Sequence, residues 1–255
     1  VAIEQIPSGI NGQAVRVDSL RLQLSATYFA QLTERMAGNF FLEVTAEGAS
    51  IFKQSYPIDI LAYDQWGGLN VYPEMLAAFI TPNHSALAPI IKRAALILEQ
   101  WTGSPSLDEY QSRNPDRVRK QMAAIYAALS EQNIIYSTVP PSFEESGQRI
   151  RLADTVLAQK LATCLDMALL YASCLEAVGI HPLLVVTRGH AFAGGWLVPE
   201  TFPDNVTDDV SLLTKRTAEG VYDIALVETT SINMGSNTDF DTAVKMADGA
   251  LADAA

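Results

Sequence analysis

The chain changes its hydrophobic period about a quarter of the way along. Before residue 62 apolar and polar positions alternate, in Val15-Arg-Val-Asp-Ser-Leu-Arg-Leu-Gln-Leu24, in Asn39-Phe-Phe-Leu-Glu-Val-Thr45 and from Ile51 to Leu61. A period of two is that of a strand with one covered face, and Glu47-Gly48 between the last two runs is turn chemistry. Trp66-Gly67-Gly68 through Pro73 breaks the pattern, and helical spacing follows. It predicts helices over 74–80, 85–101, 115–132 and 153–161, the third with Asn114 as cap and Pro115 in its first position. From Cys164 to Val178 the chain is apolar on nearly every side, which marks a helix buried at a domain centre; fifteen residues are too few to span a membrane. Gly179 suits the end of that helix. Leu183–Thr187, Ala191–Val198 and Tyr222–Val227 read as short strands, 199–220 as an inserted loop and 239–252 as a last helix. The fold class predicted is α+β. An antiparallel β-sandwich-like domain of immunoglobulin type over 1–65 precedes a domain over 66–255, in which helices pack on a small antiparallel sheet.

The start of the buried helix carries the candidate chemistry. Thr163 can cap it, and Asp166, three residues on, can reach back to the cap's N–H. Cys164 then occupies the first helical position, where unpaired N–H groups and the helix dipole favour a thiolate. Asp166 is thereby a capping residue; two positions from Cys164, it lies on a different face and is not the orienting acid. Most free cysteines are simply small buried apolar residues. Cys174 fits that description: it lies about 15 Å further along the helix, out of disulfide reach of Cys164, with only Glu176 charged beside it.

Of the three histidines, His181 precedes Pro182 in a connection, and His84 in Thr-Pro-Asn-His-Ser sits at a helix start as a surface or capping residue. His190 stands between two buried strands after the turn Arg188-Gly189, and glycines on both sides leave room for a substrate backbone. Glu228, closing the strand before Thr229-Thr230, is the acid of choice. Asp223 faces the other side by the period of two, and Glu200 and the acids of 204–209 lie in a loop-like segment. Cys164, His190 and Glu228 supply a thiolate, a base that holds its proton and a carboxylate that orients the base. Charge on an attacked carbonyl oxygen needs donors as well. The Cys164 N–H is one, and Gln159, Tyr136 and Gln148 are candidates for the second.

Three stretches resemble the transglutaminase-like superfamily of papain-related cysteine enzymes: Ala162-Thr163-Cys164-Leu165-Asp166, Gly189-His190-Ala191-Phe192 and Val227-Glu228-Thr229-Thr230. The resemblance spans roughly residues 105–235. It implies a nucleophilic Cys at the start of a central helix, a His opening a strand and an acid at a later strand end. Tyr136 to Leu152, running into the Cys motif, is similar to transglutaminase-like modules of large bacterial multidomain proteins with helicase and nuclease-like regions. Two positions depart from the family: Ala162 replaces its usual glycine, and Glu228 takes the aspartate position.

Composition narrows the partners. A net charge of −12 argues against a grip on nucleic-acid phosphates. Neither a signal peptide nor a run of eighteen apolar residues is present. Two cysteines without an intrachain bridge fit a reducing, cytoplasmic setting. Val1 and the Ala/Asp-rich end suggest a piece of a longer chain, with other domains of that chain as partners. The histidines share no ligand spacing, so neither a metal nor another cofactor is expected. The function predicted is thiol chemistry on an amide bond of a protein or peptide, as protease or amidase; the alternative is an inactive peptide-binding or scaffolding module.

Overall fold

The computed structural model describes residues 25–138 and 147–254. The chain divides into two compact units, one ending at Tyr63 and one beginning at Asp64. The described part of the first unit is a short helix α1 (Ala26–Ala30) and a hairpin of β1 (Met36–Ala46) and β2 (Ala49–Ile60). Glu47 and Gly48 close the hairpin, both at positive φ (50° and 80°), as a two-residue turn matched to strand twist requires. Alternation sends Phe40, Leu42 and Val44 to the same face as Phe52, Tyr56 and Ile58, while Asn39, Glu43, Lys53 and Asp59 take the other. The strand expected at 15–24 lies outside the described residues. No second sheet, as a sandwich needs, occurs among the described residues of this unit.

The second unit is built round α5 (Cys164–Ala177), buried at every position from Cys164 to Leu175. A helix with no polar stripe must be covered on all sides. It is enclosed by α2 (Ala88–Thr102), α3 (Pro115–Ser130) and α4 (Ala153–Gln159) and by a three-stranded antiparallel sheet. The sheet runs in the order β7 (Pro182–Thr187), β8 (His190–Trp196), β9 (Ile224–Val227), with α7 (Phe240–Ala254) against β9. The Tyr171 hydroxyl donates to the Met122 carbonyl at 3.0 Å, the one polar tie of a fully buried ring. Mixed helices and small antiparallel sheets make the chain α+β. Among the described residues no helix is long and apolar enough to cross a membrane.

Several expectations are corrected. Residues 73–79 form a 3-10 helix rather than an α-helix, and 85–87 a 3-10 turn that delays α2 to Ala88. The 199–220 insertion is not all loop: it holds α6 (Ser211–Thr217). Phe202 meets Trp196 edge-on at 4.9 Å, and the Arg216 guanidinium lies 5.3 Å from the Trp196 ring and 5.2 Å from that of Phe202. The glycines of β8 do not make room for a substrate. A Cβ at Gly194 would meet the Ala225 carbonyl at 2.6 Å, and one at Gly195 would meet Met122, Ile180 and Leu175 at 3.1–3.3 Å. They admit core neighbours, as strand glycines at close approaches do.

Two minimal ladders matter more than their size suggests. Parallel strands β4 (Ile135–Tyr136) and β6 (Leu161–Ala162) set Tyr136 opposite Ala162, two residues before Cys164. Antiparallel β3 (Gln65–Trp66) and β5 (Gln148–Arg149) pair Trp66 with Gln148.

Candidate active site

Cys164 is placed by its helix cap. Asp166 N–H donates to Thr163 Oγ1 at 3.2 Å, and Thr163 N–H donates back to Asp166 Oδ2 at 2.9 Å, a reciprocal capping box. Asp166 is fully buried, and its carboxylate also takes the Arg151 N–H at 2.8 Å and the Arg151 guanidinium at 3.1 Å. Its three bonds go to the helix start and the segment after β5, and none goes to His190.

His190 opens β8 immediately after Gly189, whose φ of +75° turns the chain out of β7. Its Nε2 lies 2.7 Å from Glu228 Oε2. Nδ1 is left free of Glu228, and the Cys164 thiol is lowered by its interaction with the ring. Glu228 ends β9 and caps a 3-10 turn over Thr229–Ile232. Its Oε1 accepts from Thr230 N–H at 3.0 Å and from the Thr230 hydroxyl at 2.6 Å, and its own N–H donates to the Ala243 carbonyl of α7. One carboxylate oxygen is held by Thr230 while the other faces the imidazole. His190, from β8, is thus hydrogen-bonded to Glu228 after β9 and interacts electrostatically with Cys164 at the start of α5.

The electrostatics follow from these partners. Burial alone would push the Cys164 thiol up, but hydrogen bonds from His190, the Ala191 N–H and the Tyr136 hydroxyl outweigh it and bring the thiol below its ordinary range. The His190 imidazole is raised to about 10 by its hydrogen bonds to Cys164 and Glu228 against the effect of burial. Glu228 is buried, which favours its neutral form, yet the bonds from His190 and Thr230 hold it below the usual carboxylate range. The Tyr136 phenol is raised to about 12 by burial and by the neighbouring Cys164 and Glu228. Both shifts run toward a thiolate–imidazolium pair, and the phenol remains a donor. Cys164 is 6% exposed, while the His190 side chain keeps 30% and Tyr136 36%, so solvent meets the group by way of the imidazole and the phenol.

The other singled-out residues divide clearly. Tyr136 joins the site through its bond to the sulfur. Gln148 is buried in β5, and its Oε1 has no partner among the described residues. Gln159 stands exposed at the C-terminal end of α4, outside every hydrogen bond described for the site. Cys174 is wholly buried, with its thiol raised to about 12 by burial. His84 Nδ1 accepts from Ala86 N–H as a cap, and the His181 ring is held by the Glu200 carbonyl at 2.9 Å. Among the described residues no three His, Cys, Asp or Glu side chains are grouped to hold a metal ion.

Two participants escaped the sequence reading. Ala191 contributes its N–H to the sulfur, which the His-Ala dipeptide does not advertise. Trp66, read only as a junction residue, packs in the same apolar cluster as Cys164, Leu165, Ile150 and Ala191. Its indole N–H is buried and without a partner among the described residues. Such an orphan donor calls for an explanation.

No protein-family profile matches the chain, and no curated protein does. One solved structure similar to part of it is from Parabacteroides distasonis and bears the description "putative protease". The two are 18% identical over 64% of this chain and 36% of the other, with a TM-score of 0.26. The chain thus spans about a third of that protein's length, a likeness too slight to assign fold or activity.

Proposed function

We propose that the second unit is a transglutaminase-like cysteine hydrolase or acyltransferase acting on amide bonds of a protein or peptide, most simply as a protease or amidase. The observation that carries this is an imidazole held at 2.7 Å by the Glu228 carboxylate and acting on the Cys164 thiol, which it lowers. Attack needs the thiolate, and the raised basicity of His190 supplies it by holding the proton. The Cys164 sulfur adds to the carbonyl carbon. The Cys164 N–H at the helix terminus, with the Tyr136 hydroxyl, Trp66 indole or Gln148 amide as second donor, receives the oxyanion. The imidazolium then protonates the departing amine, which leaves a thioester on Cys164. Water or an amine, deprotonated by His190, resolves it, and Glu228 keeps the ring oriented throughout. In this reading residues 1–65 are a separate β-sandwich-like domain ahead of a catalytic domain over 66–255, and the chain works in the cytoplasm.

Incubation with a peptide and amide library, acid quench and mass spectrometry test the proposal. An acyl adduct on the Cys164 peptide is expected in the wild type and absent from Cys164→Ala. Hydroxylamine should release the adduct. Turnover that survives in a folded Cys164→Ala protein would reject it.

A second reading, a peptide-binding module without turnover, is favoured by one observation: only 6% of Cys164 is exposed. It requires that no adduct form with any acyl donor, and that Cys164→Ala leave binding of peptides intact.

A further inference from the structure

Away from the thiol, a cavity of about 400 Å³ opens between the start of α3, the end of α6, the strand β9 and α7. It shares no residue with the Cys164, His190 and Glu228 group. Its floor is apolar, formed by Leu197, Ile224, Leu226 and Val244. The volume lies in the range of small-molecule sites, which combine an apolar floor with a few polar groups at the edge.

The charges at its edge have one sign left over. Arg119 is spent: its Nη1 binds Asp241 at 2.6 Å and its guanidinium lies 5.0 Å from the Phe240 ring. Asp116 and Asp248 face the same space with no hydrogen bond or ion pair among the described residues. Asp248 is raised by burial alone, with no cation opposing it, whereas Lys245 on the same helix acts on Asp239. The Asn114 side chain caps the Asp116 N–H, and the Asp116 carboxylate has no partner among the described residues. Both carboxylates stand exposed beside the apolar floor, an arrangement suited to a cation that brings its own apolar surface.

We propose that this cavity binds a small organic ammonium ion: an aromatic or branched aliphatic body on the Leu226–Val244 floor, with its charged nitrogen between Asp116 and Asp248. An anionic ligand of the same shape is disfavoured by the two carboxylates, since Arg119 is already paired with Asp241.

Titration of the full chain, labelled with nitrogen-15, tests this with three probes of one shape: phenethylamine, 3-phenylpropionate and phenethyl alcohol. The proposal expects phenethylamine to shift the amides of Asp116, Arg119, Leu226 and Val244 with saturation below about 10 mM, and the acid to leave them in place. Asp116→Asn with Asp248→Asn should weaken the amine about fivefold, each exposed charge contributing modestly. Both carboxylates are at exposed positions, so amides outside the cavity should keep their shifts and report an intact fold. Equal binding of acid and amine, an unchanged affinity in the double variant, or amine shifts located elsewhere or missing would each overturn the proposal. The readout is occupancy, so it stands or falls independently of turnover at Cys164.

Discussion

Cys164 and Cys174 lie ten residues apart on one helix, both enclosed and both unbridged, with relative exposures of 6% and 0%. Their chemistry runs in opposite directions. The first is brought below the ordinary thiol range, and the second is raised to about 12. Burial penalises both thiolates. The difference is that the N-terminal end of α5 meets the head of β8 and a two-residue ladder, which bring His190, the Ala191 N–H and the Tyr136 hydroxyl to the sulfur. The other end meets only side chains of the core. Reactivity is set by which backbone and side-chain donors the fold gathers at a thiol, not by how deeply it is buried.

The widest expected gap is in alkylation. Iodoacetamide at pH 7, followed by peptide mapping, should modify Cys164 at least about a thousandfold faster than Cys174, because only about one in 10⁵ of a thiol with a pKa near 12 is ionised there. Similar rates would erase the contrast between the two ends.

His190→Ala removes both the cation and the proton acceptor. It should lower any amide turnover by about a thousandfold and labelling of Cys164 at pH 6 by about tenfold or more, while Cys174 stays inert. Unchanged labelling would mean that the helix terminus alone ionises the thiol.

Glu228→Gln keeps the shape and removes one of the two interactions that raise His190. The loss in turnover should be about 10- to 100-fold. The alkaline limb of the thiolate–imidazolium pair, near pH 10 in the wild type, should move down, which the imidazole C2-proton NMR shift against pH would read. Stability gives a matching sign. His190 is raised from 6.5 to about 10, so its contribution is complete below pH 6.5 and lost as pH climbs through 10. Urea unfolding at pH 6.5 and 10 should therefore show a smaller drop for Glu228→Gln than for the wild type.

Tyr136→Phe should have the smallest effect, about threefold on labelling rate, since it removes one of three donors at the sulfur. A larger loss in turnover than in labelling would mark the phenol as a donor to the oxyanion as well.

Much of this site was legible because its parts are local. The Thr163–Asp166 box, the apolar run behind it and the head of β8 each announce themselves within a few residues. Glu228 was legible as the carboxylate closing a buried strand. Trp66 and the role of Tyr136 were not, because two-residue ladders leave no periodic trace and their partners lie far along the chain. The glycines of β8 misled for another reason: a missing Cβ announces that something comes close without saying what, and here it is Met122 and the backbone of β9. The α6 helix escaped because seven residues carry too little apolar pattern. Tertiary contacts to Trp196 hold it instead.

The clasp at Trp196 has an engineering consequence. Phe202 near the beginning of the insertion and Arg216 near its end converge on the same indole, so the stretch between them is an excursion fastened at its neck. Reporter peptides or affinity handles grafted into 204–209 should leave β8 undisturbed. Grafts that reach past either fastening would loosen the strand that carries the imidazole.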